Sequence, residues 1–137
     1  MNAFNFEDIY LGLTSSFEVI ITQEMLDSFI VLSGDNSPLH INEVFAREKG
    51  YLGIPVHGML TASFYSQLVG IHLPGVNGYS QEYKIAFVAP VYVGNILTVS
   101  GEVEYINTAF KQLWIDAQII NSNGVKVSRA KIKAGFF

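Results

Sequence analysis

At 137 residues, half of them hydrophobic and only 15% charged, the sequence fits one well-packed globular domain and excludes both intrinsic disorder and two separate cores. With no cysteine it excludes a disulfide framework, a thiolate nucleophile and a Cys-based zinc site. The net charge of −4 divides unevenly, eight acids and two bases in residues 1–75 against four acids and six bases in 76–137. That imbalance is too mild for nucleic-acid binding, but it leaves room for a small anionic ligand near the C-terminal half.

The opening segment carries Glu7 and Asp8 but no Lys or Arg, so it lacks the basic start of a secretory signal, and a cytoplasmic protein is expected. Ser16 to Ile21 reads as an early strand. Thr22 can N-cap a helix whose Met25, Leu26, Phe29, Ile30 and Leu32 form an apolar stripe, and Gly34 stands where a left-handed C-cap belongs. A loop follows, then a short helix from about Asn42 to Lys49. A third helix, from about Gly58 to Gly70, has almost no charge and should be buried on most sides.

From residue 79 the apolar period changes from 3.6 to 2. Tyr79, Tyr83, Ile85 and Phe87 form one face of a strand. The apolar stretch Ile85 to Val93 contains Pro90 and is far short of the roughly 18 residues a membrane span needs. Leu97, Val99, Val103 and Tyr105 alternate with polar residues, and Leu113, Ile115, Ala117 and Ile119 repeat the pattern. Asn121-Ser122-Asn123-Gly124 is a turn signal before a last strand with Ser128, Ala130, Ile132 and Ala134 on one face and Arg129, Lys131 and Lys133 on the other. Together these elements predict a single α+β domain over residues 1–137, with an antiparallel sheet burying an apolar face against the uncharged helix. One helix cannot cover both faces and both edges of such a sheet, so a homodimer or dimer-based oligomer is expected.

The polar residues of the apolar first half gather in Ser33-Gly34-Asp35-Asn36-Ser37-Pro38-Leu39-His40. Asp35 and His40 lie five apart across a loop pinned by Pro38, a spacing that lets both reach one point. A carboxylate beside an imidazole forms an acid–base pair; an Asx-turn aspartate and a partly exposed histidine give the same spacing. The second polar feature, Ile54-Pro55-Val56-His57-Gly58-Met59, opens the uncharged helix. There an unpaired amide beside glycine can meet a thioester carbonyl and stabilise an enolate, although a glycine required for helix packing looks the same. His40, His57 and His72 show neither i, i+4 spacing nor flanking carboxylates, so no metal site is expected. Arg129, Lys131 and Lys133 are read as a solvated strand face that can also meet phosphates, and Trp114 as packing.

Taken together, Asp35-Asn36-Ser37-Pro38-Leu39-His40, His57-Gly58-Met59 some twenty residues later, and Ala89-Pro90-Val91-Tyr92-Val93-Gly94 resemble the MaoC-like branch of the hot-dog superfamily. Within it the similarity is greatest to the (R)-specific enoyl-CoA hydratases. The resemblance implies a sheet wrapped around a central buried helix, and reversible hydration of trans-2-enoyl thioesters to (R)-3-hydroxyacyl thioesters. It implies Asp35 and His40 as the acid–base pair, with Asp35 favoured as base, the Gly58 amide on the thioester oxygen, and Ser66 near the pair. His57 and Met59 flank Gly58 as further candidate substrate contacts. The substrate would ride on coenzyme A or acyl carrier protein, with no other cofactor, metal, nucleic acid or membrane. Ser37 stands where the family usually has asparagine, and Asn42 where aspartate is frequent. A hot-dog acyl-thioesterase and a non-catalytic acyl-thioester-binding module are the competing readings; Met59 to Ile71 lacks the carboxylate such thioesterases commonly carry.

Overall fold

The computed structural model describes residues 1–137. A 3-10 turn at Phe6–Asp8 precedes strand β1 (Thr14–Ile20), and the helices follow: α1 (Gln23–Ser33), α2 (Pro38–Ile41), α3 (Glu43–Glu48) and α4 (Gly58–Gln67). A π-helical turn at Leu68–His72 continues α4. The chain then forms four strands: β2 (Gly78–Phe87), β3 (Ile96–Asn107), β4 (Gln112–Asn121) and β5 (Lys126–Phe136). All pairings are antiparallel, in the order β1-β3-β4-β5-β2, which leaves β1 and β2 as edges.

Strict alternation decides which face of the sheet is buried. Leu97, Val99 and Val103 of β3, the stripe Leu113, Ile115, Ala117 and Ile119 of β4, and Ala130, Ile132 and Ala134 of β5 turn inward. They share one core with Leu60, Phe64, Tyr65, Leu68 and Val69 from α4 and its π turn. A Cβ on Gly101 would lie 2.7 Å from Ile115 Cγ2 and 2.9 Å from Leu68 Cδ2, so a glycine in mid-strand is what lets the π turn seat on the sheet. The Tyr65 hydroxyl and Ser128 Oγ, 2.7 Å apart, form the buried polar link from α4 to β5. Burial pushes the Tyr65 phenol up to about 12.

The local signals act as expected. Thr22 Oγ1 accepts from the Met25 amide at 3.2 Å, and Gly34 closes α1 at φ 72°. The Asn121 side chain accepts from the amides of Asn123 and Val125, with Gly124 at φ 75°. Four expectations are corrected. Leu32 is exposed, lying on the outer side of the turn that buries Leu26. Ser37 to Ile41 is not all loop: Pro38 starts the one-turn helix α2, its fixed φ suiting a first helical position. A register shift between Ser80 and Glu82 leaves Gln81 unpaired, so Tyr79 faces outward opposite Gly135 while Tyr83, Ile85 and Phe87 share the inner face with Ile132, Ala130 and Ser128. A second shift between Val103 and Tyr105 turns Tyr105 outward, against Trp114 at 5.0 Å, and passes the inner position to Ile106.

Helix α4 is also less enclosed than its lack of charge suggests. Met59, Ser63 and Ser66, spaced four and three apart, form an exposed stripe along it. No helix is long and apolar enough to cross a membrane.

Candidate active site

A cleft of about 560 Å³ opens between the head of α4, the loop that carries α2, and the end of β2. Asp35, His40, His57, Gly58, Met59 and Thr61 line it together with the apolar Phe29, Leu39, Val56, Phe87, Val88 and Val127. Apolar walls with a few convergent polar groups suit a small ligand that has an apolar tail and one reactive polar centre.

Hydrogen bonding orients the polar residues. Asp35 Oδ1 accepts from the Ser37 amide at 3.2 Å, so the Asx turn is present, and it is what holds the carboxylate at the cleft. That amide, chiefly, then the Ser37 hydroxyl and the neighbouring His57 and His40 imidazoles hold the carboxyl below its ordinary value of 3.8, against partial desolvation. His40 Nδ1 lies 2.7 Å from the Pro55 carbonyl, which can only accept, so Nδ1 carries a proton and Nε2 is left with the lone pair.

His57 is 3% exposed, and its Nε2 donates to the Asp35 carbonyl at 2.8 Å. Its ring stacks on that of His40, with centroids 3.8 Å apart. Asp35, His40 and His57 present potential ligand atoms within 4.8 Å of one another, a grouping made by folding that their spacing along the chain does not signal. The donor chemistry favours a proton site over a cation site. With His57 Nε2 committed as a donor and its Nδ1 lone pair closed off from solvent, the Asp35 carboxylate and His40 Nε2 are the acceptors left open at the cleft, fewer than the four ligands of a structural metal.

Gly58 and Met59 head α4 with amides that meet no carbonyl of the chain. A Cβ at Gly58 would lie 2.9 Å from the Phe87 ring, so a glycine is what lets the head of α4 pack closely against the end of β2. Ser66 is not brought to the cleft. It stands two turns along α4, about 12 Å from the helix head at 1.5 Å per residue, on the exposed stripe. His72 stacks on Phe17 at 4.6 Å, away from the cleft. Lys131 is engaged by Glu104 at 2.6 Å and Asp116 at 3.2 Å, and Lys133 lies over Trp114, so the basic face of β5 is largely occupied. Phe29, Phe87 and Val127 line the cleft from three separate elements, and no local pattern marks them out.

Comparison with known proteins agrees with this architecture. A 3-hydroxybutyryl-CoA dehydratase from Methylorubrum extorquens is 34% identical over 98 residues, which cover 72% of this chain and 62% of that protein. An (R)-specific enoyl-CoA hydratase from Rhodospirillum rubrum is 35% identical over 95 residues, covering 69% of this chain and 66% of that protein. The matched region thus spans just under two-thirds of each of these relatives. The solved structure of an (R)-hydratase from A. caviae involved in PHA biosynthesis superposes with a TM-score of 0.90 at 25% identity, covering 96% of this chain and 99% of that one. The profile of the MaoC like domain matches residues 12–123, and the chain therefore belongs to the MaoC-like family of hot-dog proteins.

Proposed function

We propose that this chain is a hydro-lyase that reversibly hydrates trans-2-enoyl thioesters to (R)-3-hydroxyacyl thioesters. One observation carries the reading: an ionised carboxylate and an imidazole with a free Nε2 lone pair share an apolar cleft with the unpaired amides that head α4. Those amides suit the thioester oxygen, on which negative charge grows as water adds to C3. The similarity to a 3-hydroxybutyryl-CoA dehydratase and to (R)-specific enoyl-CoA hydratases supports the same chemistry.

The hydrogen bonds favour His40 over Asp35 as the base, the reverse of the assignment favoured from sequence. Asp35, held below the ordinary carboxylate range, stays anionic and accepts one hydrogen of the water. His40 Nε2 takes the other as the oxygen bonds to C3. The resulting imidazolium returns that proton to C2 of the enolate, so H₂O adds across the double bond with nothing left over. His40 rather than Asp35 is then the proton carrier. Both act from one side of the substrate, which makes the addition syn. The R face rests on the relatives. No cofactor beyond the carrier of the acyl group, coenzyme A or acyl carrier protein, enters this scheme.

A second copy of the chain is part of the proposal. The exposed stripe Met59, Ser63, Ser66 lies on a helix that otherwise packs into the core, and β2 offers an unpaired edge bordered by exposed Phe87 and Val88. A twofold partner covers both. The direct test is to follow loss of enoyl-thioester absorbance with crotonyl-CoA, and then to resolve the product's stereochemistry. Thiol release without hydration would favour a thioesterase, no turnover a binding module, and a mainly (S)-product would overturn the assigned face.

A further inference from the structure

His57 touches all three parts of the cleft. Its backbone caps α4 immediately before Gly58, its Nε2 donates to the Asp35 carbonyl, and its ring stacks on His40 at an interplanar angle of 26°. Phe29 backs it at 4.9 Å. Its Nδ1 is buried with no hydrogen-bond partner, so Nε2 makes the ring's only hydrogen bond in the chain. A buried polar side chain that reaches back 22 residues to a loop carbonyl is costly unless that bond holds something in place.

We propose that His57 is a positioning residue, fixed as the Nε2–H tautomer, that clamps the Asp35–His40 loop to the head of α4 and so sets the distance between the water-holding pair and the oxyanion amides. The inference rests on the hydratase reading of the cleft. His57 transfers no proton. Its contribution is registration: it keeps the two halves of the site in the geometry where attack at C3 and charge growth on the thioester oxygen coincide, and a misplacement of about 1 Å there can cost a hundredfold in rate.

Two variants separate the donor from the ring. His57→Phe keeps an aromatic stack and loses the donor, whereas His57→Gln loses the stack and keeps an N–H at similar reach. In crotonyl-CoA hydration, His57→Phe should lower kcat about tenfold to a hundredfold while KM stays within about twofold, and His57→Gln should restore most of that loss. Imidazole nitrogen NMR of the wild type, readily assigned with three histidines, should find His57 protonated at Nε2 and His40 at Nδ1. Near-normal kcat in folded His57→Phe, equal damage in both variants, or a His57 Nδ1–H tautomer would each overturn the proposal. If His57→Phe does not fold, the wild-type tautomer and the His57→Gln rate still decide. Should wild type hydrate nothing, the hydratase reading fails, while the NMR signals, including a shift of His40 when His57 is replaced, still test the clamp.

Discussion

Substituting Gly58 with alanine adds one methyl beside the Phe87 ring, at 2.9 Å from both Cδ1 and Cε1. Unstrained carbons keep about 3.5–4.0 Å, so the ring and the helix head must part by roughly 0.6–1 Å. Phe87 is half-exposed at the end of an edge strand and can swing outward, and alanine recovers up to about 1 kcal/mol of helix propensity relative to glycine. Stability should therefore stay within about 1 kcal/mol of wild type. Turnover should not, because whatever part of the displacement the helix head takes up moves the amides proposed to hold the thioester oxygen, a shift worth roughly tenfold to a hundredfold in rate. Gly101→Ala is the control: its methyl meets Ile115 and Leu68, both fully buried and unable to yield. That overpacking should cost about 1–3 kcal/mol, which for a chain of this length lowers Tm by roughly 3–10 °C, with activity per folded molecule unchanged. Thermal melts and crotonyl-CoA kinetics on both variants give the comparison. A Gly58→Ala protein with wild-type turnover, or one destabilised more than Gly101→Ala, would refute the separation of packing from chemistry at these two glycines.

Asp35→Asn and His40→Ala should each lower turnover at least about a hundredfold while circular dichroism shows an intact fold; near-normal activity removes that residue from the mechanism. Carbon NMR should find the Asp35 carboxyl titrating below 3.8. Its contribution to stability is then present above the unfolded value and is lost only as pH falls through the folded one; a midpoint above that ordinary value contradicts the Ser37 and imidazole contacts. Tyr65, pushed up to about 12, favours the protonated fold, so its contribution holds below its ordinary value of 10.0 and disappears as pH rises through 12. Tyr65→Phe, which leaves the Ser128 hydroxyl unpaired, should cost about 1–3 kcal/mol in a denaturant titration, and a cost near zero would mean that the link is not needed. Light scattering at micromolar concentration should return a dimer mass or a multiple of it; a monomer would leave the α4 stripe and the β2 edge without their proposed cover.

The sequence by itself determined whatever depends on neighbours along the chain. Thr22 and Gly34 bound α1, the Asn121 turn joins β4 to β5, and the alternating residues of β4 and β5 turn inward as read, because capping, turn geometry and strand periodicity act within a few residues. The motif spacing was equally legible: Asp35 and His40 do meet at one cleft with Gly58. Tertiary structure decided the rest. The bulges that turn Tyr79 and Tyr105 outward exist only relative to partner strands, and Lys131 is neutralised by acids on β3 and β4. Ser66 leaves the site because two helical turns carry it along α4, a distance that residue type does not encode. His57 is the sharpest case. As a histidine beside a glycine it reads as a substrate contact, and only folding brings it to the carbonyl of Asp35, 22 residues away, because a backbone acceptor has no residue identity by which a sequence could announce it.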